Sequence, residues 1–274
     1  MTGEEFKKLQ NAQLEIMDEF HRLCEESGIP YYLMAGSVLG AVRHGGFIPW
    51  DFDIDVGMRR ADYDRFREVC VPRLGDRFIY RDFENTEKYD RPHALICIKN
   101  TTLTTRYDKY NPGNENFGIY LDVFPIDNAP ATPELQKRHK KAVLGVMHAR
   151  YRKKAECFQH APLKNFIKKA ISCLMLFSTM DGLNRRLEKA LRLYNGGETG
   201  FVGSFTSPYR YEKECMPTAV YGKPTPTAFE GRTYYIPEQA DAYLTQLYGN
   251  YMELPPEEKR EECRTYFEEV AFDR

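Results

Sequence analysis

The chain has 274 residues, 42% apolar and 29% charged, with a net charge of −1, which excludes disorder and leaves room for one large domain or two small ones. Seven scattered cysteines (24, 70, 97, 157, 173, 215, 263) are odd in number and lack paired spacing, so a reducing compartment is expected rather than a disulfide scaffold. The start, MTGEEFKKLQ, shows no secretory leader, and the longest apolar stretch, residues 171–177, is too short to span a bilayer, so a cytoplasmic location is expected.

Residues 2–26 form an amphipathic helix by pattern, with Thr2 and Glu5 as a capping box and Phe6, Leu9, Ile16, Met17, Phe20 and Leu23 on one face. Gly28 and Pro30 end it. A short strand is expected at 31–34, leading through Ala35-Gly36-Ser37 into a helix that reaches Val42. Residues 52–58 alternate, which sets Phe52, Ile54, Val56 and Met58 opposite Asp53, Asp55 and Gly57. A helix bearing Tyr63, Phe66, Val69 and Cys70 follows, then strands at 78–83, 94–99 and 118–124. In the last of these, Ile119, Leu121 and Val123 oppose Tyr120, Asp122 and Phe124.

From 132 to 194 the pattern is helical and basic, with a break near Ala161-Pro162. Residues 131–193 carry 15 Lys and Arg against four Asp and Glu, so the remainder of the chain is acidic. Such a block fits either an ordinary solvated helical face or a docking surface for an anionic membrane, polymer or nucleic acid. Beyond Gly196-Gly197 the chain is loop-rich and aromatic, with a strand at 233–236 and a helix at 240–248. The expected architecture is α+β: a mixed sheet flanked by helices, with a basic helical insertion. The segments are a catalytic core at 1–130, the insertion at 131–197 and a C-terminal portion at 198–274 that packs on the core.

Residues 34–58, MAGSVLGAVRHGGFIPWDFDIDVGM, carry the chemistry. A Gly36-Ser37 turn at a helix start presents backbone N–H groups, a hydroxyl and a helix dipole to phosphate oxygens. Asp53 and Asp55 project together from one strand face, and Asp122 stands on another strand among apolar neighbours. Each piece has a plain structural explanation, an N-cap or a solvated strand face. Three carboxylates in such surroundings repel one another unless a cation lies between them, and Mg2+, with Mn2+ as a substitute, is a hard cation that takes oxygen ligands.

The run AGSVLGAVRHGGFIPWDFDID resembles the LicD family of phosphotransferases, relatives of the fukutin-type proteins within the nucleotidyltransferase-fold superfamily. That pattern is a Gly-Ser, then Asp-x-Asp with an apolar middle residue, then a later third Asp; Gly36, Ser37, Asp53, Asp55 and Asp122 match it. The resemblance continues through GIYLDVFPIDNAP (118–130), FEGRTYYIP (229–237) and YLTQLYGNYMELPPEEKR (243–260). One departure is Phe52, which replaces the middle carboxylate of a Trp-Asp-Asp-Asp run and leaves the role of Asp51 open. The resemblance implies transfer of phosphocholine, or a related phospho-alcohol, from a CDP-activated donor such as CDP-choline to a hydroxyl of a cell-surface glycan, such as a teichoic acid or lipopolysaccharide precursor, with release of CMP. Asp53, Asp55 and Asp122 are then the metal-binding and catalytic residues.

Substrate contacts are expected from Gly36, Ser37, Arg43, His44, Trp50, Asp51 and Lys99. Arg43 suits phosphate because its fork is permanently charged, and Lys99 ends a strand near the site. Trp50 suits a choline cage by cation–π attraction and suits a core position equally. Cys157, His160 and Cys173 form a weak zinc pattern without a fourth ligand. Basic and apolar residues alternate along 163–194 in the manner of a helix that lies on an anionic bilayer, so a peripheral position at the inner face of the membrane is expected. Two other readings stay open at this point: a nucleotidyltransferase that moves NMP from NTP to a phosphorylated alcohol, sugar or nucleic acid, and a non-catalytic binding protein of the same fold. Nucleic acid is the less favoured partner.

Overall fold

A computed structural model describes residues 3–87, 89–105, 116–154, 179–264 and 267–272. Helix α1 (Gly3–Ser27) leads through β1 (Tyr32–Leu33) into α2 (Ala35–His44), then β2 (Asp55–Arg59) and α3 (Arg60–Val69). Strands β3 (Phe78–Arg81), β4 (Ala94–Ile98), β5 (Thr101–Thr105) and β6 (Tyr120–Ala129) follow. After helices α4 (Pro133–Lys154) and α5 (Met180–Leu191) come β7 (Phe201–Gly203), α6 (Tyr211–Glu214), β8 (Met216–Pro217) and α7 (Thr218–Tyr221). The chain closes with β9 (Thr225–Phe229), β10 (Arg232–Ile236), α8 (Ala240–Tyr248), α9 (Glu257–Arg264) and β11 (Phe267–Phe272). The expected α+β class with a mixed sheet is the one observed.

The main sheet runs β1-β2-β6-β4-β3, and β7 and β8 extend from the far half of β6. Strands β2 and β6 are parallel, whereas β1, β4 and β3 join antiparallel. Side chains alternate across the sheet, which gives it two different faces. Val56, Leu121, Val123, Ile96 and Ile98 enter one large core with Ile16, Met17, Phe20 and Leu23 of α1. Phe52 joins that core at 5% exposure, edge-on to Phe6, as its alternation predicts. The other face carries Asp55, Tyr120, Asp122 and Leu95, because Asp55 pairs with Asp122 and Asp122 with Leu95. α1 reaches the strands by side-chain amides as well: Gln13 donates to the Tyr120 carbonyl (2.7 Å) and Gln10 to the Asp51 carbonyl (3.0 Å).

Strand β2 is shorter than its alternating pattern, since residues 51–54 lie outside the ladder and leave Asp53 ahead of it. Strand β6 runs on to Ala129, beyond the expected 124, because its later half pairs with β7. The β5–β11 pair was not expected; it joins residues far apart in the chain, and neither has a turn signal that predicts the partner. Of the basic segment, α4 and α5 are described and pack on each other around Val143, Leu187 and Leu191. The zinc pattern (Cys157, His160, Cys173) and the first half of the amphipathic run 163–194, residues 163–178, lie outside the described residues. Among the described residues no helix is long and apolar enough to cross a membrane.

Candidate functional site

Helix α2 begins at Ala35 in an unusual way. Ala35 has φ 43°, a conformation that costs an alanine energy, and its N–H is taken by the Tyr243 hydroxyl of α8 at 2.9 Å. Ser37 sits inside the first turn, not at the cap, and the capping position is Met34. The Ser37 hydroxyl accepts the Asp55 N–H at 2.9 Å, and the Asp55 carbonyl accepts the Met34 N–H at 2.9 Å. The Gly-Ser turn and the Asp strand are thus bonded directly. Gly36 lies against Asp51: a Cβ there would stand 3.4 Å from Asp51 Oδ2. Farther along α2, a Cβ on Gly40 would stand 2.4 Å from the Gly46 carbonyl, so only glycine lets the Gly45-Gly46 turn fold back on the helix.

The structure brings Asp51, Asp53, Asp55 and Asp122 together. Asp55 and Asp122 face each other across β2 and β6, and Asp53 lies close enough to Asp51 for each to influence the other's titration. Asp51 also accepts the Phe52 N–H at 3.0 Å. Burial raises the pKa of Asp53 well above the usual range, reinforced by the charges of Asp51 and Asp55. Burial likewise raises Asp55, with Asp122, Asp51 and Glu214 adding to the effect. Asp51 is raised by burial and held back by its bonds to Asp53 and to the N–H groups of Phe52 and Asp53. The carboxylates raise one another, and a group of hard oxygen donors of this kind fits a divalent cation. Among the described residues no three His, Cys, Asp or Glu side chains already converge in ligand geometry, so the fit rests on charge and donor type.

Asp122 has a partner that sequence reasoning did not find. His93 Nε2 lies 2.6 Å from Asp122 Oδ1, and the ring packs on Phe124 with centroids 4.1 Å apart. The other ring nitrogen is buried and has no hydrogen-bond partner among the described residues, and His93 lines a cavity of about 20 Å³ with Tyr63, Arg91 and Asn184, room for about one water. On the opposite flank, Tyr209 and Tyr248 join hydroxyls at 2.6 Å, and both feel the charges of Asp55 and Asp51. Glu214, 2% exposed, accepts the Ser207 hydroxyl and keeps Oε2 unpartnered.

The remaining expected contacts are engaged elsewhere, Arg43, His44 and Trp50 with one another and Lys99 apart from them. Arg43 donates to the Tyr251 carbonyl at 2.7 Å and to His44 Nε2 at 3.0 Å. Trp50 is buried, with the Arg43 and Arg260 guanidinium groups 6.0 and 5.5 Å from its ring and His44 edge-on at 6.2 Å. Lys99 donates to the Asp76 carbonyl at 2.7 Å. These groups are engaged with backbone or ring, and none of them bonds to the carboxylate cluster.

Residues 28–143 match the family described as LicD/FKTN/FKRP, nucleotidyltransferase domain. The lipopolysaccharide cholinephosphotransferase LicD of Haemophilus influenzae is 31% identical over 258 residues, which cover 92% of this chain and 93% of that protein. The chain belongs to the LicD family. The ribitol 5-phosphate transferase FKRP of Homo sapiens is 53% identical over 51 residues, 19% of this chain and 10% of that protein. Membership makes the protein an enzyme of the LicD transferase type.

In this LicD-family chain, the site also draws on residues far from the Asp motif. His93 immediately precedes β4, and it becomes a neighbour of Asp122 only because β4 pairs with β6. Tyr243 and Glu214 lie in the C-terminal third, where nothing in a single sequence points to Ala35 or Asp55 as neighbours.

Proposed function

We propose that the protein transfers a phospho-alcohol group, phosphocholine in the first instance, from a CDP-activated donor to a hydroxyl of a cell-surface glycan precursor and releases CMP. The observation that carries this reading is the direct pairing of Asp55 with Asp122 on adjacent parallel strands, with Asp53 beside them in the same group of buried carboxylates. The name of the Haemophilus influenzae relative supports choline and lipopolysaccharide, and that of the FKRP relatives supports phospho-alcohol transfer more broadly.

Asp53, Asp55 and Asp122 would hold Mg2+ or Mn2+, which when bound neutralises diphosphate charge. The residues of the chain supply the rest. Asp122, held by His93, orients the acceptor hydroxyl and takes its proton as the new P–O bond forms and the bond to CMP breaks. Ser37 fixes the Asp55 backbone, so that carboxylate cannot drift from its partner. Most of the rate enhancement then comes from positioning and charge placement, as in other phosphoryl transfers.

The exposed basic side of α4, with Lys137, Arg138, Lys141, Arg152 and Lys153, supports docking on an anionic bilayer that presents a lipid-linked acceptor.

The test is CMP release from CDP-choline with Mg2+, for wild type and Asp55→Ala, with EDTA controls. Metal-dependent release that falls by at least about 1000-fold in the variant is the expected result. No release from CDP-choline, CDP-ethanolamine, CDP-glycerol or CDP-ribitol, even with crude surface-glycan acceptor, would overturn the reading. Pyrophosphate release from an NTP instead would favour nucleotidyl transfer.

A further inference from the structure

A phosphotransferase site built from four carboxylates needs a fixed cation as well, because a diphosphate brought against bare carboxylates is repelled. The guanidinium that the fold sets beside Asp122 is that of Arg91, a residue outside every motif of the sequence. Arg91 lies in the short connection ahead of β4, two residues before His93. Its guanidinium carbon stands 5.3 Å from the centre of the Tyr120 ring, and Tyr120 shares a strand face with Asp122. The side chain is half-buried, so it is shielded and still within reach of a ligand. Burial opposes its charge, but Tyr120, Asp122 and Asp90 outweigh that and raise its pKa. Among the described residues no ion pair or side-chain hydrogen bond occupies its five N–H donors, in contrast to Arg60 and Arg192 nearby.

The backbone that carries Arg91 is held from the basic insertion. Arg150 of α4, 5% exposed, donates to the Arg91 carbonyl at 2.8 Å and to Asn184 Oδ1 at 2.7 Å. Asn184 of α5, 3% exposed, donates to the Tyr89 carbonyl at 2.9 Å. Two buried side chains from two helices therefore grip two carbonyls of one connection. That fixes the backbone from which the Arg91 fork projects, and a planar fork suits bidentate recognition of phosphate oxygens.

We propose that Arg91 binds the phosphate oxygens of the donor beside Asp122, and that Arg150 and Asn184 are positioning residues for it. The identity of the donor rests on the reading of the function given above; the phosphate contact itself does not. Because the insertion's hydrogen bonds go to backbone carbonyls, replacing the Arg91 side chain leaves them intact.

The test is calorimetric titration of the full chain with inorganic pyrophosphate and, separately, with CDP, both with Mg2+. Arg91→Gln should weaken both ligands by about 10- to 100-fold, the range for lost hydrogen bonds to a charged group. Arg91→Lys, which keeps charge but not the fork, should weaken them by about 3- to 10-fold. Arg186→Gln removes an exposed charge of the same sign elsewhere and should change neither. Pyrophosphate affinity in Arg91→Gln within about twofold of wild type overturns the proposal. Should the Gln variant not fold, Arg91→Lys decides, and wild-type affinity in it overturns the proposal. Wild-type binding of pyrophosphate without CDP would sink the donor assignment and leave Arg91 to be judged on the pyrophosphate arm. Binding of neither ligand by wild type overturns both.

Discussion

Glu214 places a fifth carboxyl group close enough to influence Asp55 and carries a measurable signature of its own. Burial pushes its pKa up to about 7, against the opposing bonds from the Ser207 hydroxyl and the Ser204 backbone. The folded state therefore binds this proton more tightly than the unfolded chain does. Its contribution to stability is complete below the ordinary glutamate range and is lost as pH rises through 7. Glu214→Gln cannot ionise, so its stability relative to wild type should climb by about 2–3 kcal/mol between roughly pH 5 and pH 8. Denaturant unfolding at a series of pH values checks this, and parallel curves for the two proteins would refute it. Asp53 and Asp55 shift in the same direction, since each is raised by burial and then by its carboxylate neighbours. Their positions side by side were legible in the sequence because the i, i+2 spacing turns both side chains the same way. Those of His93 and Glu214 were not, since each is defined by an atom contributed from another element.

Element by element, the parts that position the site are held by buried polar bonds as much as by apolar packing. Arg60, the first residue of α3, is 6% exposed and grips both oxygens of Asp127 on β6 at 2.7 Å. It also reaches Glu188 of α5 at 2.8 Å, and Arg192 continues the chain to Asp64 at 2.6 Å. Asp127 has no exposed surface, so Arg60→Met strands a carboxylate whose main partner is gone. A loss of about 3–5 kcal/mol is expected in urea unfolding, whereas Arg192→Met, at a more exposed pair, should cost about 1 kcal/mol or less. Equal losses would show that burial is not what sets the energetics here. The periodicity of α1, β2 and α8 was readable because each has a single apolar face on one core. The ends of β2 and β6 were misjudged, by contrast, because where a strand stops depends on where its partner stops. The partners of β2 and β6, including β7, come from distant parts of the chain.

At the scale of the whole molecule, the basic segment has two faces with different roles. Arg150, Lys140 and Arg192 turn inward: Arg150 to the connection that carries Arg91, Lys140 to Glu212 and Arg192 to Asp64. Lys137, Arg138, Lys141, Arg152 and Lys153 face outward. If the outward set docks on anionic lipid, the protein should co-sediment with phosphatidylserine-containing vesicles at low salt and lose most of that binding as ionic strength rises towards about 0.5 M. Replacement of three of these lysines and arginines by Gln should abolish the effect, and salt-insensitive or absent sedimentation would dismiss it. The sequence by itself determined the family, the α+β class and the closeness of Asp53 and Asp55, because strand alternation and a contiguous motif are local properties of the chain. Which residues join that pair, Asp122 among them, was decided only by the tertiary structure. His93 on Asp122, Tyr243 on Ala35 and Arg91 over Tyr120 are contacts across sequence separations of 29 or more, or between elements whose pairing register had to form first. A single sequence records the residues of such pairs but not their distances, since these follow from how the whole core closes.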